Sequence, residues 1–429
     1  MMFKRILIIL LFLEGVLMSA SLSSIEVKGV SVPVIFEKDS HLPIVSLQLV
    51  EQVSGSIEDD GDAGLARFTA GMLNEGTKKL GSTGFADELD KRAINLSVSN
   101  GAETFVFELS SLKEQFPYGL SMLKQLLNDP NFTKESFSKV QSQTLGYLSS
   151  KKSDFDYTAN VNLKKLIYKG TPIEHPFSGD EQSIKKLTLK SVENFYKNHL
   201  DLSNLIIVIG GDIKEDEFKK MITPLLQTLS VGKKRVLQKF KANGDKKELI
   251  VKKDTQQAYI YFGAPLSVVA GDPDIYKSKV ASFILGASGF GSRLMEEVRV
   301  KKGLAYSVYS RDSVAKSHSS FTGYLQTKTT SLSEAKNLVI KVIDDYVKNG
   351  ATADELEQAK KFLLGSEPLR NETLSQRLNQ AFHEYYEGYR LGHSKKVLDE
   401  IENLSLKDLN AFIKKHSEIT KLSFSIVTK

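Results

Sequence analysis

GLARFTAGMLNEGT, residues 64–77, is the stretch from which the fold of this chain can be worked out. Leu65, Phe68 and Met72 recur at the spacing of three and four residues that places side chains on one face of a helix. Asp62 stands just before this apolar run and is predicted to cap the helix N-terminus. We therefore expect a helix that begins near Leu65 and buries its apolar face.

This helix belongs to a unit that occurs twice in the chain. EKDSHLPIVSLQLV, from Glu37, resembles KKDTQQAYIYFGAP, from Lys252, at an offset of 215 residues. A later pair of segments starts at Leu187 and Leu404, an offset of 217, and a pair between these two matches at an offset of 219. Three pairs in the same order at nearly constant offset indicate a duplication.

Each copy is predicted to contain short strands, several helices and a closing strand. Residues 32–38 and 44–50 mix β-branched and apolar side chains over short runs, as half-buried strands do. Thr133 and the capping box that begins at Thr352 mark helix starts at equivalent places. Because the strands do not alternate strictly with helices, we predict an α+β protein of two homologous halves, each a mostly antiparallel sheet layered with helices.

The first twenty residues have the layout of a secretory signal peptide. Lys4 and Arg5 precede an apolar run that is short for a membrane span and is interrupted by Glu14, so cleavage near Ala20 is expected. We therefore predict a periplasmic or otherwise secreted protein with no membrane contact after cleavage. The predicted division is a signal peptide (1–20), an N-terminal domain (21–228), a linker (229–247) and a C-terminal domain (248–429).

Composition narrows the class of protein further. The chain of 429 residues has no cysteine, which excludes disulfides, a lipid-anchored cysteine and thiolate metal sites. The net charge of +6 is spread along the chain, so nucleic-acid binding is not expected. A basic run in residues 233–247 is predicted to be part of the solvated linker.

Two α+β halves joined by a linker, with GLARFTAGMLNEGT in the first and SRLMEEVRVKKGLAYSVYS in the second, resemble the pitrilysin/insulinase family of zinc peptidases, or inverted zincins. The similarity is greatest to the bacterial members that are like the mitochondrial processing peptidase, and it covers nearly the whole chain after the leader. It implies half-molecules that close into a chamber around an unfolded peptide. In active members the first-half helix carries His-x-x-Glu-His, whose histidines bind zinc while the glutamate acts as general base.

None of these catalytic residues is present in this chain. Arg67 and Gly71 stand at the two histidine positions and Ala70 at the glutamate position. The third zinc ligand of the family would fall near Gly146 or Tyr147, where there is no carboxylate. The resemblance therefore implies no zinc in this chain, and zinc in a homologous partner subunit instead.

The second-half signature of the family is intact. Arg299 and Tyr306 stand where family members carry a pair that reaches toward the substrate carbonyl, and where a phenolic O–H can stabilise an oxyanion. The alternative is that Tyr306 begins a strand and Arg299 is a solvated charge at a helix end. Gly286, Gly289 and Gly291 precede the pair and are predicted to contact substrate, with a flexible turn between helices as the alternative.

The histidines do not replace the missing zinc ligands. No two of the seven are spaced as i and i+4. His383, in HEYYE, imitates half of a zinc motif but lacks the second imidazole. His199 and His416 occupy equivalent places in the two copies, which predicts a packing role for both.

These observations favour the non-catalytic subunit of a heterodimeric zinc endopeptidase that acts on unfolded peptides. In this hypothesis Arg299 and Tyr306 complete the site of a partner that binds zinc, so any activity depends on that partner. The alternative is an inactive scaffold or peptide-binding protein of the same fold. A metallopeptidase with relocated ligands is a third hypothesis.

Overall fold

The computed structural model describes residues 20–59 and 61–429. The predicted signal peptide lies outside the described residues except for Ala20, so its cleavage stays a prediction. Within the described ranges, no helix combines the length and the apolar character that a membrane crossing requires.

The strands form two separate sheets, one in each half of the chain. The prediction of two α+β halves is confirmed. The strands of the first half are β1 (Ser21–Val27), β2 (Val30–Lys38), β3 (Ile44–Gln52), β4 (Asn95–Asn100), β5 (Thr104–Leu112) and β6 (Leu205–Gly211). Those of the second half are β7 (Phe240–Lys241), β8 (Glu248–Lys252), β9 (Gln257–Pro265), β10 (Ser307–Val314), β11 (His318–Lys328) and β12 (Ser423–Thr428).

The order of the strands shows the duplication directly. From its edge strand β4, the first sheet runs β4-β5-β3-β6-β2-β1, and from β10 the second runs β10-β11-β9-β12-β8. In each sheet the closing strand is parallel to one neighbour, β6 to β2 and β12 to β8. The other neighbours along both paths are antiparallel. Both sheets are therefore mostly antiparallel, as predicted.

Two helices begin where the capping signals at Thr133 and Thr352 place them. Thr133 accepts a hydrogen bond from the N–H of Ser136, and Thr352 forms the predicted capping box with Glu355. The helices of the first half are α1 (Leu65–Leu73), α2 (Gly81–Asp90), α3 (Phe116–Asn128), α4 (Lys134–Ser150), α5 (Phe155–Ile167), α6 (Glu181–Lys186), α7 (Leu189–His199) and α8 (Glu215–Leu226). Those of the second half are α9 (Ile275–Ser282), α10 (Leu332–Asn349), α11 (Ala353–Gly365), α12 (Glu367–Arg370), α13 (Leu374–Tyr386), α14 (His393–Glu402) and α15 (Leu406–Lys415).

Each half lends one helix to the sheet of the other half. Helix α5 packs on β9 and β12, where Ala159 and Leu163 are buried in a cluster with Tyr261. Helix α13 packs on β2 and β6, where Leu378 is buried in a cluster with Ile206. The sequence does not predict this exchange, because each helix is amphipathic whichever sheet it covers. The exchange joins the two halves through apolar cores as well as through the chain.

The segment predicted as the linker is attached to both halves. Its Arg235 lies 2.6 Å from the carboxylate of Asp201 and 3.5 Å from that of Glu51, both of the first half. Its Phe240 forms a short parallel ladder with β11 of the second half. The segment is therefore docked at these points, while the domain boundaries drawn through it stay predictions.

Candidate functional site

The first-half stretch that resembles a zinc motif forms α1, as predicted. Its start is held by Asp59, whose carboxylate accepts the N–H groups of Gly64 and Ala66, each at 2.8 Å. The prediction of Asp62 as the cap was wrong, because the backbone C=O of Asp62, rather than its side chain, accepts the N–H of Leu65. Asp59 stands three residues before Asp62 in the sequence, and its carboxylate caps the start of α1 instead.

The three motif positions differ in their surroundings. Arg67 is exposed, whereas Ala70 is buried, with an exposed fraction of 1%. Gly71 faces α4, and a Cβ atom on it would lie 3.2 Å from Cγ1 of Val140. A larger side chain at Gly71 therefore requires Val140 to move. Val140 therefore limits the size of the side chain at this one helix position.

The residues at this site do not fit a catalytic zinc ion. Zinc in proteins is bound by cysteine, histidine or carboxylate side chains. Arg67, Ala70 and Gly71 offer none of these, and neither do Gly146 and Tyr147 of α4. Over residues 20–59 and 61–429, no group of three or more histidine, cysteine or carboxylate side chains could hold a metal.

A cavity of about 520 Å³, the motif cavity, opens beside α1. Its walls come from α1, α4, α5, the end of β4 and the segment of residues 176–178. The Oδ1 atom of Asn100, at the end of β4, is buried and accepts no hydrogen bond from the described residues. The lining residues are Arg67, Gly71, Asn100, Val140, Gln143, Thr144, Tyr147, Tyr157, Asn160, Val161, Lys164, Pro176, Phe177 and Ser178.

A second cavity, the sheet cavity, has a volume of about 220 Å³ and lies between α5 and the strands β10 and β11. It shares Asn160, Lys164 and Phe177 with the motif cavity, so the two adjoin along α5. Arg311 of β10 lines it, and burial together with the charge of Arg311 lowers the pKa of Lys164. Burial also lowers the pKa of His318, the strand residue that lines the same cavity.

Arg299 and Tyr306 of the second half lie together, as the spacing suggested. The Arg299 guanidinium lies 4.8 Å from the ring centre of Phe290 and 4.9 Å from that of Tyr306. Both rings are exposed, Phe290 by 70% and Tyr306 by 80%. Such cation–π contacts stabilise the guanidinium between the rings without engaging its N–H groups in ion pairs. Tyr306 itself precedes β10, which begins at Ser307.

Two turns of π-helix frame this pair. Phe283–Ala287 and Met295–Val300 are both π-helical, and Arg299 lies in the second. Such turns interrupt the regular α-helical ladder and are frequent at functional sites. Arg299 lies near the end of the second turn, shortly before the chain enters β10 at Ser307.

The three glycines before Arg299 have different environments. A Cβ atom on Gly286 would lie 2.2 Å from Oγ of Ser310 in β10, so this glycine is needed for close packing within the chain. Gly289 and Gly291 have φ angles of +69° and +91° with open space around them, and they form an exposed turn. The predicted contact with substrate thus stays a prediction, and of the three only Gly289 and Gly291 are free to make one.

His199 and His416 pack against aromatic rings. The rings of His199 and Phe195 lie 4.2 Å apart and those of His416 and Phe412 lie 4.3 Å apart, which confirms the predicted packing role in both copies. In HEYYE, burial lowers the pKa of His383. The neighbouring Glu384 accepts the N–H groups of residues 392 and 394 at the start of α14.

The structure thus separates the predicted residues into two places. Arg67 and Gly71 line the motif cavity, whereas Arg299 and Tyr306 line neither cavity among the described residues. Sequence reasoning missed Lys164 and Arg311, because neither lies in a motif and only the exchange of α5 brings them together. Helices α5 and α13 occupy corresponding places in the two copies of the repeat. This correspondence is the sequence signal that could have drawn attention to α5.

Comparison with known proteins identifies the family of this chain. Residues 34–181 match the family described as insulinase (peptidase family M16), and residues 186–363 match the peptidase M16 inactive domain. A chain of Helicobacter pylori called non-peptidase homolog YmxG is 42% identical over 99% of this chain and 98% of its own length. This chain belongs to peptidase family M16.

Other similar proteins are more distant in sequence. An uncharacterised zinc protease of Rickettsia bellii is 23% identical over 85% of this chain and 88% of its own. A solved structure from Pseudomonas fluorescens, described as a peptidase M16 inactive domain, has a TM-score of 0.87 at 24% identity and covers 95% of this chain and 98% of its own. A protease structure from Helicobacter pylori has a TM-score of 0.82 at 16% identity, covering 96% and 100%. These two structures share the fold.

The resemblance to the pitrilysin/insulinase family is therefore confirmed, including the degenerate zinc motif. The four positions of the M16 zinc site offer no zinc ligand in this chain. The chain is therefore a non-catalytic, M16-like protein that lacks the zinc site of its family.

Proposed function

We propose that this chain is the non-catalytic subunit of a heterodimeric zinc endopeptidase that cleaves unfolded peptides. A homologous M16 subunit would hold the zinc ion with its own His-x-x-Glu-His. This chain would supply half of the chamber together with Arg299 and Tyr306. The protein would work in the periplasm or outside the cell, in keeping with the predicted leader.

The exposed stack of Phe290, Arg299 and Tyr306 is the observation that carries this proposal. In the described part of the chain, no carboxylate pairs with Arg299 and no group hydrogen-bonds to the hydroxyl of Tyr306. Large aromatic side chains exposed by 70% and 80% are unusual on a surface that meets only water. A guanidinium and a phenol that lie side by side can instead bind a carbonyl oxygen or an oxyanion supplied from outside the chain.

Such a division of labour is physically reasonable. A hydrogen-bond donor stabilises a developing oxyanion wherever it is held at the right distance, and it does not need to lie on the chain that holds the metal. The donors must then be fixed by closure of the interface between the subunits. The π-helical turn that carries Arg299 and the stacking of both rings on its guanidinium limit the motion of this group before any partner binds.

The test is a reconstituted peptidase assay. The chain would be mixed with a homologous subunit that has an intact His-x-x-Glu-His, and zinc-dependent cleavage of an unstructured peptide would be followed. Tyr306→Phe removes only the hydroxyl and is expected to lower kcat by a factor on the order of 100 while the complex still forms. Arg299→Ala is expected to lower activity as well, whereas Arg390→Ala, an exposed arginine outside both cavities, serves as the control.

Three results would contradict the proposal. The zinc subunit could be fully active alone, or Tyr306→Phe could leave cleavage unchanged in a complex shown to form, which would favour the inactive scaffold. Metal analysis of the isolated chain could find zinc at one equivalent, which would favour relocated ligands instead.

A further inference from the structure

The two cavities beside α5 contain positive charge that the chain itself does not neutralise. Arg67 and Lys164 line the motif cavity, and Lys164 and Arg311 line the sheet cavity. No aspartate or glutamate lines either cavity in the part of the chain that the structure describes. Within the same residues, none of the three cations forms an ion pair.

Arg67 and Arg311 are exposed arginines, and neither has a carboxylate partner among the described residues. The less exposed arginines elsewhere are paired, as Arg235 is with Asp201, and Arg293 lies 2.5 Å from the carboxylate of Glu355. At the cavities the cations repel one another instead, and the charge of Arg311 adds to burial in lowering the pKa of Lys164. An anionic ligand would remove this repulsion and take up donors that have no acceptor among the described residues.

The cavity walls also favour a peptide over a simple anion. The buried Oδ1 atom of Asn100 accepts no hydrogen bond from the described residues, and an N–H group of a peptide would give this acceptor a partner. Tyr147 and Phe177 of the motif cavity are exposed by 47% and 42%, so they offer apolar surface for side chains. Inorganic anions supply neither an N–H group nor apolar surface.

We propose that the motif cavity and the sheet cavity together hold a carboxylate-bearing stretch of an extended peptide. Arg67, Lys164 and Arg311 would bind the carboxylate, and Asn100 would accept a backbone N–H beside it. The helix position that carries a zinc-binding histidine in active relatives would thus bind substrate charge. This inference rests on the proposed function in taking the ligand to be a peptide substrate, but the binding is a property of the isolated chain.

The chain offers a direct assay because it contains no tryptophan. A short unstructured peptide with one tryptophan and two glutamates would be excited at the red edge of the tryptophan band, where the tyrosines of the protein absorb little. A matched peptide has glutamine in place of both glutamates. Each peptide would be made with a free C-terminal carboxylate and with a C-terminal amide, which separates the two sources of the carboxylate.

We expect the glutamate peptide to bind the isolated chain on the order of 10-fold more tightly than the doubly neutral glutamine amide, with the difference falling as salt is added. Arg67→Gln and Lys164→Gln should each lower the affinity for acidic peptide several-fold, while Arg67→Lys retains part of it. Arg390→Gln is the matched control, since this exposed arginine lines neither cavity. Circular dichroism melts would verify that each variant is folded.

The outcomes decide the proposal in both directions. A preference for either the side-chain or the C-terminal carboxylate supports it and identifies the source. Equal binding of acidic and neutral peptides, or equal loss in Arg67→Gln and Arg390→Gln, would overturn it. Displacement of the acidic peptide by inorganic phosphate as readily as by unlabelled peptide would overturn the assignment to a peptide. No partner or zinc enters this assay, so its failure is distinguishable from a failure of the reconstituted peptidase.

Discussion

Replacing Arg377 by alanine should weaken the attachment of α13 to the sheet of the other half. The Arg377 guanidinium is 2.5 Å from a carboxylate oxygen of Glu37 and 2.5 Å from one of Asp39. The Glu37 side chain is 3% exposed and that of Arg377 is 26% exposed. Burial raises the pKa of Glu37 even with the arginine present, so the carboxylate depends on this partner for its compensation.

The magnitude follows from the charge that is left behind. Removing one partner of a buried ion pair costs about 3–5 kcal/mol, because the other charge stays buried and unpaired. Since Arg377 is partly exposed and Asp39 can reach water, we expect a loss near the lower limit, about 3 kcal/mol in the free energy of unfolding. A single folded domain has roughly 5–15 kcal/mol in total, so the effect should be easy to measure.

The assay is urea unfolding followed by far-ultraviolet circular dichroism. Arg390→Ala, which removes an exposed arginine, is the control and should change stability by less than about 0.5 kcal/mol. In the double variant Glu37→Gln with Arg377→Ala, the loss should be smaller than the sum of the two single losses, because the buried charge of Glu37 is removed together with its partner. A loss below about 1 kcal/mol for Arg377→Ala, or strictly additive single effects, would refute the reasoning.

Two further predictions concern the second half. Burial acts to raise the pKa of Glu418, but hydrogen bonds with His416 and Ser267 outweigh it and lower the pKa to about 2. This carboxylate therefore stabilises the fold fully above its unfolded pKa of about 4.3, and the stabilisation is lost as the pH falls toward 2. In urea unfolding, the Glu418→Gln variant should lose less stability between about pH 5 and pH 3 than the unchanged chain does. Gly286→Ala should lower the free energy of unfolding by about 1–3 kcal/mol in the same assay, because the added Cβ would lie 2.2 Å from Oγ of Ser310. Gly289→Ala is the comparison, since there only the positive φ is strained. A smaller loss in Gly286→Ala than in Gly289→Ala would contradict this prediction.

The sequence by itself determined the duplication, the fold class and the vacated zinc motif. The internal offsets are properties of the order of residues, and three matching pairs leave two copies as the simplest interpretation. Local signals such as the caps at Thr133 and Thr352 act over a few residues, so they predicted helix starts correctly. The missing zinc donors at Arg67 and Gly71 follow from side-chain chemistry alone.

The sequence could not show which elements pack on one another. The Asp62 cap was wrong because a turn brings Asp59 to the start of α1 instead. Proline is usual in edge strands, yet Pro33 lies in β2, which has β1 and β6 as neighbours; it is accommodated because the pairing with β6 begins only at Val34. Both cases depend on contacts outside the local pattern.

Only the tertiary structure decided that α5 and α13 are exchanged between the sheets. An amphipathic helix needs an apolar surface, but its sequence does not specify whose surface that is. The exchange brings Lys164 of α5 beside Arg311 of β10, and through the motif cavity it connects both with Arg67. Charges far apart in the sequence line two adjoining cavities because the packing of α5 between the two halves, rather than any motif, places these residues there.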